Sequence, residues 1–170
     1  ENSPPVQHDD VFLNMGYEMH NHPNYIRLPL WILEIDWFSA DTKKLCNTIP
    51  ISLKECMDPA EGSMRKRFCA FIVSNPCQPV RNQAFHTLNR YKAVDSAGRL
   101  YNTMGTELFA GLGGGGGERR KVDFLQQYKF CLAYENIASP GYITEKILHA
   151  KAAGCVPIYW GAPNLEIDAF

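Results

Sequence analysis

The apolar residues of this chain fall into two unlike stretches. From Arg67 onward they form short unbroken runs, separated by turn residues and by segments with helical spacing. Phe68 to Val73 is one such run, closed by Ser74-Asn75-Pro76, and it predicts a strand buried on both faces. Pro79 to Tyr91 predicts a helix. Pro79 suits a first helical position, and Val80, Ala84, Phe85 and Leu88 share one face. Tyr91 to Val94 reads as a strand, followed by a turn at Ser96-Ala97-Gly98. Val122 to Tyr128 predicts a short helix and Phe130 to Tyr134 a second buried strand. Tyr142 to Ala153 predicts the clearest helix, with Gly154 just past its end. Val156 to Trp160, closed by Gly161-Ala162-Pro163, is the last strand. Strands alternating with helices imply an α/β fold, a parallel sheet with crossover helices.

Before residue 66 the pattern is irregular. Val11 to Leu13 predicts a short strand. Leu30 to Phe38 predicts a short helix after Pro29, burying Trp31, Ile32, Ile35 and Trp37, and Ser39 to Ser63 reads as loop. The longest apolar candidate, Leu28 to Leu33, is broken by Pro29 and followed by Glu34 and Asp36. It falls well short of the ~18 residues that a membrane-crossing helix needs. The chain starts with Glu and stops abruptly at Phe170, which reads as a piece of something longer.

Charge narrows the partners. The 170 residues carry 17 Lys+Arg against 18 Asp+Glu, a formal net charge of -1. Such a balance argues against a chain that coats a nucleic-acid backbone, while leaving room for a local basic pocket. The six cysteines contain no C-x-x-C, and Cys69, Cys131 and Cys155 sit inside apolar runs, as small buried hydrophobes do. With no N-x-[ST] sequon, this usage favours a reducing, cytoplasmic setting.

Several chemistries lack their residues. There is no G-K-[ST] for a phosphate-binding P-loop, no G-x-S-x-G nucleophile elbow, and no histidine spacing suited to zinc. Ser63-Met64-Arg65-Lys66 matches S-x-x-K without the other signatures of that chemistry. No D-x-D exists to hold a divalent metal on a sugar nucleotide. The tract Gly113 to Gly117 contains a G-x-G-x-x-G match from Gly111. It reads as a flexible loop or as a phosphate cradle, and Arg119, Arg120 and Lys121 after it as a solvated face.

The strand Phe130 to Tyr134 runs through Glu135-Asn136 and Ser139-Pro140-Gly141 into the helix predicted from Tyr142. Ligands of open parallel sheets bind at such junctions, beyond the carboxyl ends of strands. Tyr142, Glu145, Lys146 and His149 fall within about 100° of one another on a helix. Lys146 beside a helix N-terminus suits an anion. Glu145 can accept two hydroxyls of a sugar diol, and Tyr142 can stack on a ring. Arg81, in the first turn of the helix after Ser74-Asn75-Pro76, occupies the equivalent place at a second junction and can grip phosphate bidentately. From spacing alone, both sets also fit ordinary solvated helix surfaces.

The segment from Lys66-Arg67-Phe68-Cys69-Ala70-Phe71-Ile72-Val73-Ser74-Asn75-Pro76 to Val80-Arg81-Asn82 resembles the first motif of the α1,3-fucosyltransferases. Tyr134-Glu135-Asn136 through Gly141-Tyr142-Ile143-Thr144-Glu145-Lys146-Ile147 resembles that family's hallmark segment. Phe124 to Phe130 and Val156 to Pro163 follow in the family's order. The resemblance implies the donor-binding part of a GT-B transferase, with two Rossmann-like domains facing a cleft. Residues 66–170 would form the GDP-fucose-binding domain, truncated at its C-terminus. Residues 1–65 would continue from an acceptor domain upstream. The implied reaction moves L-fucose from GDP-β-L-fucose to a hydroxyl, O3, of N-acetylglucosamine in a glycan. It goes with inversion and with neither cofactor nor metal. Another sugar-nucleotide transferase, or a non-catalytic nucleotide-binding module, stands as the alternative.

Residue roles follow by resemblance only. Arg81 and Lys146 would hold the pyrophosphate and stabilise departing GDP, while Asn136, Tyr142 and Glu145 would line the nucleotide and fucose. Glu1, in Glu1-Asn2-Ser3-Pro4-Pro5, looks like the general base of the family's G-E-N-x-x-P segment with its Gly cut away. Tyr25-Ile26-Arg27-Leu28-Pro29-Leu30 also matches in placement, whereas the five-glycine tract has no counterpart. A bacterial member would sit in the cytoplasm, peripheral to the inner membrane and acting on lipopolysaccharide, and a eukaryotic one in the Golgi lumen. The bacterial setting is the one expected.

Overall fold

A computed structural model describes residues 14–16, 23–36, 51–52, 65–105 and 116–163. The main unit is a four-stranded, all-parallel sheet. Its strands are β5 (Arg67–Phe71), β6 (Val94–Ser96), β7 (Tyr128–Tyr134) and β8 (Val156–Trp160), in the spatial order β6-β5-β7-β8. Register is fixed by Cys69 opposite Val94, Ala70 opposite Cys131 and Leu132 opposite Ile158. The helices are α1 (Pro79–Tyr91), α2 (Gly116–Leu125) and α3 (Glu145–Ala152).

Alternate side chains of the strands feed two cores, as the pleat requires. Cys69, Phe71 and Leu132 pack with Phe85 of α1 on one face. Ala70 and Cys131 pack with Val122 and Leu125 of α2 and Leu148 of α3 on the other. The chain therefore leaves β5 on one face and β7 on the opposite face. Neighbouring strands whose connections diverge in this way form a topological switch point, and a crevice opens beyond their carboxyl ends.

The predicted α/β architecture is the one observed, and α1 and β8 have the predicted bounds. Gly154 has φ 71° and donates its N–H to Lys151 O over 2.7 Å, closing α3 as expected. Other elements moved. The predicted helix 122–128 lies earlier, as α2, because Tyr128 already pairs with Arg67 as the first residue of β7. The strand expected at 91–94 is β6, so Ser96 belongs to it rather than to a turn. The helix predicted from Tyr142 begins at Glu145. Gly141 has φ 78° and Thr144 is extended, so neither continues a helical path.

Upstream, two short parallel ladders flank a 3-10 turn. β1 (Asn14–Gly16) pairs with β2 (Tyr25–Arg27), and β3 (Ile35–Asp36) with β4 (Ile51–Ser52). The helix predicted over 30–38 is a 3-10 turn over Leu30–Glu34, ending where β3 begins, and β4 falls inside the stretch read as loop. Trp31 and Ile35 pack against the α2–α3 core, which anchors this segment to the sheet. The strand at Val11 to Leu13, Trp37 and most of the glycine tract lie outside the described residues. Gly116 and Gly117 open α2.

Candidate functional site

The crevice between β5 and β7 collects the two predicted junctions. Arg81 sits in the first turn of α1, facing the sheet. It is 1% exposed and, with Phe85 at i+4, forms the buried stripe of the helix. Val80, predicted to share that stripe, is 44% exposed. The Arg81 guanidinium donates from Nη2 to Asn75 O (2.6 Å) and from Nη1 to Asn136 Oδ1 (2.8 Å). Its Nε is buried without a hydrogen-bond partner. Among the described residues no carboxylate lies within ion-pair distance of it. Burial therefore pulls its pKa below the usual value, with the field of Glu135 acting in the other direction. A buried cation held by neutral acceptors alone is costly unless an anion joins it.

Asn136 lies just beyond β7 on an exposed loop. Its side chain meets Arg81, and its carbonyl accepts from Gln78 Nε2 (2.7 Å), so it ties the β7 loop to the start of α1. Tyr142 is half-buried in the turn before α3, where its N–H donates to Ser139 O.

Lys146 lies in the first turn of α3, 21% exposed at its side chain. Its Nζ has three oxygen partners: Thr144 Oγ1 at 2.9 Å, Glu135 Oε2 at 3.2 Å and Glu145 Oε1 at 3.3 Å. Burial would lower the Lys146 pKa, but Glu145 and Glu135 together raise it above the usual lysine value. The anion that a lysine needs beside a helix N-terminus is thus supplied partly from within the fold. Glu145 also reaches Lys121 of α2 at 3.7 Å. Burial pushes its carboxyl up, yet Lys146, Lys121 and His149 hold it down to about 2.

Two participants escaped the sequence reading, and a third, His149, is more deeply buried than its place on a polar face implied. Glu135 directly follows β7 at 0% exposure, where a turn carboxylate is normally solvated. It accepts the Thr144 N–H (2.8 Å) and hydroxyl (2.6 Å). Lys121, read as part of a solvated basic run, turns inward instead, while Arg119 pairs with Asp123 and Arg120 is exposed. His149, placed on a polar helix face, is 1% exposed and lines a cavity of about 40 Å³ with Lys121, Cys131, Glu145 and Lys146. Its i+4 and i+3 spacing from Glu145 and Lys146 is what places His149 with them in the sequence. Glu1 lies outside the described residues.

The buried Arg81, with no carboxylate at ion-pair distance, and the Lys146–carboxylate cluster thus stand at the two strand–helix junctions of a parallel-sheet switch point. Such a place suits a phosphorylated ligand. A larger depression of about 630 Å³ over Pro79, Gln83 and His86, on the outer side of α1, gathers no comparable charges. Groups of three or more metal-ligating side chains are absent among the described residues.

The family model of glycosyltransferase family 10 (fucosyltransferase), C-terminal part, matches residues 63–170. The chain belongs to this family. Among curated members, an α-(1,3)-fucosyltransferase of Helicobacter pylori is 37% identical over 105 residues, covering 62% of this chain and 20% of that protein. GDP-fucose protein O-fucosyltransferase 3 of Xenopus tropicalis is 35% identical over 106 residues, covering 61% and 22%. A crystal structure of an α1,3-fucosyltransferase with GDP-fucose superposes with a TM-score of 0.66 at 27% identity, over 97% of this chain and 52% of that one. The same comparison with a GDP-bound α1,3-fucosyltransferase gives 0.64 at 28%, over 91% and 48%. The family 10 chain thus spans about a fifth of these curated relatives and half of the solved structures. Its sheet and crevice are those of the Rossmann-like unit of GT-B fucosyltransferases.

Proposed function

We propose that this chain forms the GDP-fucose-binding part of an inverting fucosyltransferase that acts on O3 of N-acetylglucosamine in a glycan. The observation that carries the reading is Arg81, a buried cation held by neutral acceptors at the switch-point crevice, with an unsatisfied Nε. A pyrophosphate there supplies the missing anion, and Lys146 reaches it from the second junction. In the transfer, the acceptor hydroxyl attacks C1 of fucose on the face opposite GDP. The C1–O bond breaks with its electron pair going to the β-phosphate oxygen, where Arg81 and Lys146 stabilise the charge. The acceptor's proton passes to a general base, the role we assign to Glu1 by family resemblance. Asn136, besides any contact with the nucleotide, holds Arg81. Tyr142 and Glu145 line the donor.

We propose further that no metal takes part, on the support that two cations already meet the leaving group and that no D-x-D is present in the chain. A reducing compartment is supported by four described cysteines that are all free, Cys69, Cys77, Cys131 and Cys155. The name of the Xenopus relative favours a second reading, in which the acceptor is a protein hydroxyl.

Calorimetry with GDP, GDP-fucose, GDP-mannose and UDP tests the donor. Binding restricted to the guanine nucleotides, strongest for GDP-fucose, is expected, and equal binding of UDP would overturn it. Transfer of labelled fucose to an N-acetylglucosamine-terminated glycan, against a serine/threonine peptide, separates the two acceptor readings.

A further inference from the structure

Lys146 has three ammonium donors, and three oxygens surround them. The three are not equivalent. Thr144 and Glu135 form a closed unit, because the Thr144 hydroxyl donates to Glu135 Oε2 while it accepts from Lys146, and its N–H donates to Glu135 Oε1. Both residues are buried, Glu135 completely. Glu145 is the most exposed of the three partners, at 24% of its side chain, and the most distant from Nζ. It also has a second cation, Lys121, within 3.7 Å. Gly161 presses on the back of Glu135 so closely that a Cβ there would lie 2.4 Å from Glu135 Cγ, which fixes the carboxylate from behind.

We propose that Glu135 is a positioning residue for the donor-phosphate grip. With Thr144 it anchors two of the three Lys146 donors, and the third, resting on Glu145, is the one that an incoming phosphate takes over. Glu145 then keeps its charge balanced through Lys121. Glu135 itself touches no substrate, since its two oxygens are spent on Thr144 and Lys146. Its negative charge alone would repel a diphosphate, so any gain in affinity from Glu135 has to come through the placement of Lys146. This inference rests on the donor reading given above.

The test is calorimetry of GDP and guanosine on the full chain. Glu135→Gln keeps the side-chain shape and removes the charge. It should weaken GDP about fivefold or more and leave guanosine within about twofold. In a Lys146→Met background the same change should cost GDP nothing further, since a residue that acts through another shows full coupling. Thr144→Ser keeps the hydroxyl and should bind GDP normally, while Thr144→Val should resemble Glu135→Gln. That pair carries the test if Glu135→Gln does not fold. GDP binding that is unchanged or tighter in Glu135→Gln overturns the proposal. So do equal losses of GDP and guanosine, or losses that add to those of Lys146→Met. If the unaltered chain binds no GDP, the donor reading falls and takes this inference with it. If it binds GDP and Lys146→Met weakens it, only the role of Glu135 is at stake.

Discussion

Arg81 and Asn136 stand 55 residues apart in sequence, yet their side chains meet at 2.8 Å and join the loops that follow β5 and β7. The bond spans the switch point, so the wall of the crevice that carries the free cation is held by the strand on the other side. Arg81 thereby has two tasks: it closes the β5 loop through Asn75 O and, on the donor reading, meets the phosphate.

Arg81→Lys should therefore fail in both tasks. A lysine keeps the charge but cannot form the planar fork that reaches Asn75 O and Asn136 Oδ1 together. GDP affinity should drop about tenfold, the equivalent of roughly 1.4 kcal/mol, with guanosine little changed. Paired titrations of the two ligands check it, and near-normal GDP binding would remove Arg81 from the phosphate site.

Asn136→Asp should act in the opposite sense on the free protein. A carboxylate placed against Arg81 supplies the missing counter-charge from within the fold. We expect a raised melting temperature together with weakened GDP binding, because the phosphate must now displace an ion pair. Thermal denaturation with and without GDP reads both effects.

Acid should expose the Glu145 cluster. Its carboxyl is held down to about 2 in the folded chain by Lys146, Lys121 and His149 against the effect of burial. An unfolded Glu titrates near about 4.3. The folded value is the lower one, so this contribution to stability is complete above the unfolded pKa and is lost as pH falls toward 2. The stability gap between the native chain and Glu145→Gln should be constant above about pH 5 and narrow steadily below it. Denaturant titrations from pH 3 to 7 measure the gap, and one that does not depend on pH would contradict the ion cluster.

Gly161→Ala should be costly although the change is a single methyl. The added Cβ would meet Glu135 Cγ at 2.4 Å and the Tyr159 hydroxyl at 2.6 Å. Overpacking of this kind typically costs about 1–3 kcal/mol. Urea unfolding should show that loss, whereas alanine at Gly105, where a Cβ has nothing within 4 Å, meets only the strain of its φ of 78°.

How far these features were legible depends on the distance over which each is decided. α1 was readable because Pro79 sets its start and apolar spacing carries it to Tyr91, both local signals. β8 is a bounded apolar run. The start of α3 was misplaced because Ile143 and Ile147 have helical i,i+4 spacing and are both buried together, beside Ala162, although Ile143 is not helical. Periodicity records which side chains share a core and does not report the backbone between them. Arg81 and Lys146 were found from their places at strand–helix junctions. Glu135 was not, because nothing around it in sequence announces burial. That depends on Thr144 nine residues later and on Gly161, which reaches it only through the pairing of β7 with β8. Lys121 was hidden in a basic run in which one residue in three turns inward.

The strand order β6-β5-β7-β8 also sets a schedule. Arg81 is made early, but its partner Asn136 arrives only after the chain has added β6 on one side of β5, passed through α2 and returned on the other side as β7. Glu135 is not enclosed until β8 is laid down, since its N–H donates to Trp160 O and Gly161 backs its side chain. During synthesis from the N-terminus, a chain shorter than about residue 161 lacks the Trp160 and Gly161 contacts that enclose Glu135. On the donor reading, the phosphate grip is then completed only with β8, after the other three strands of the described sheet.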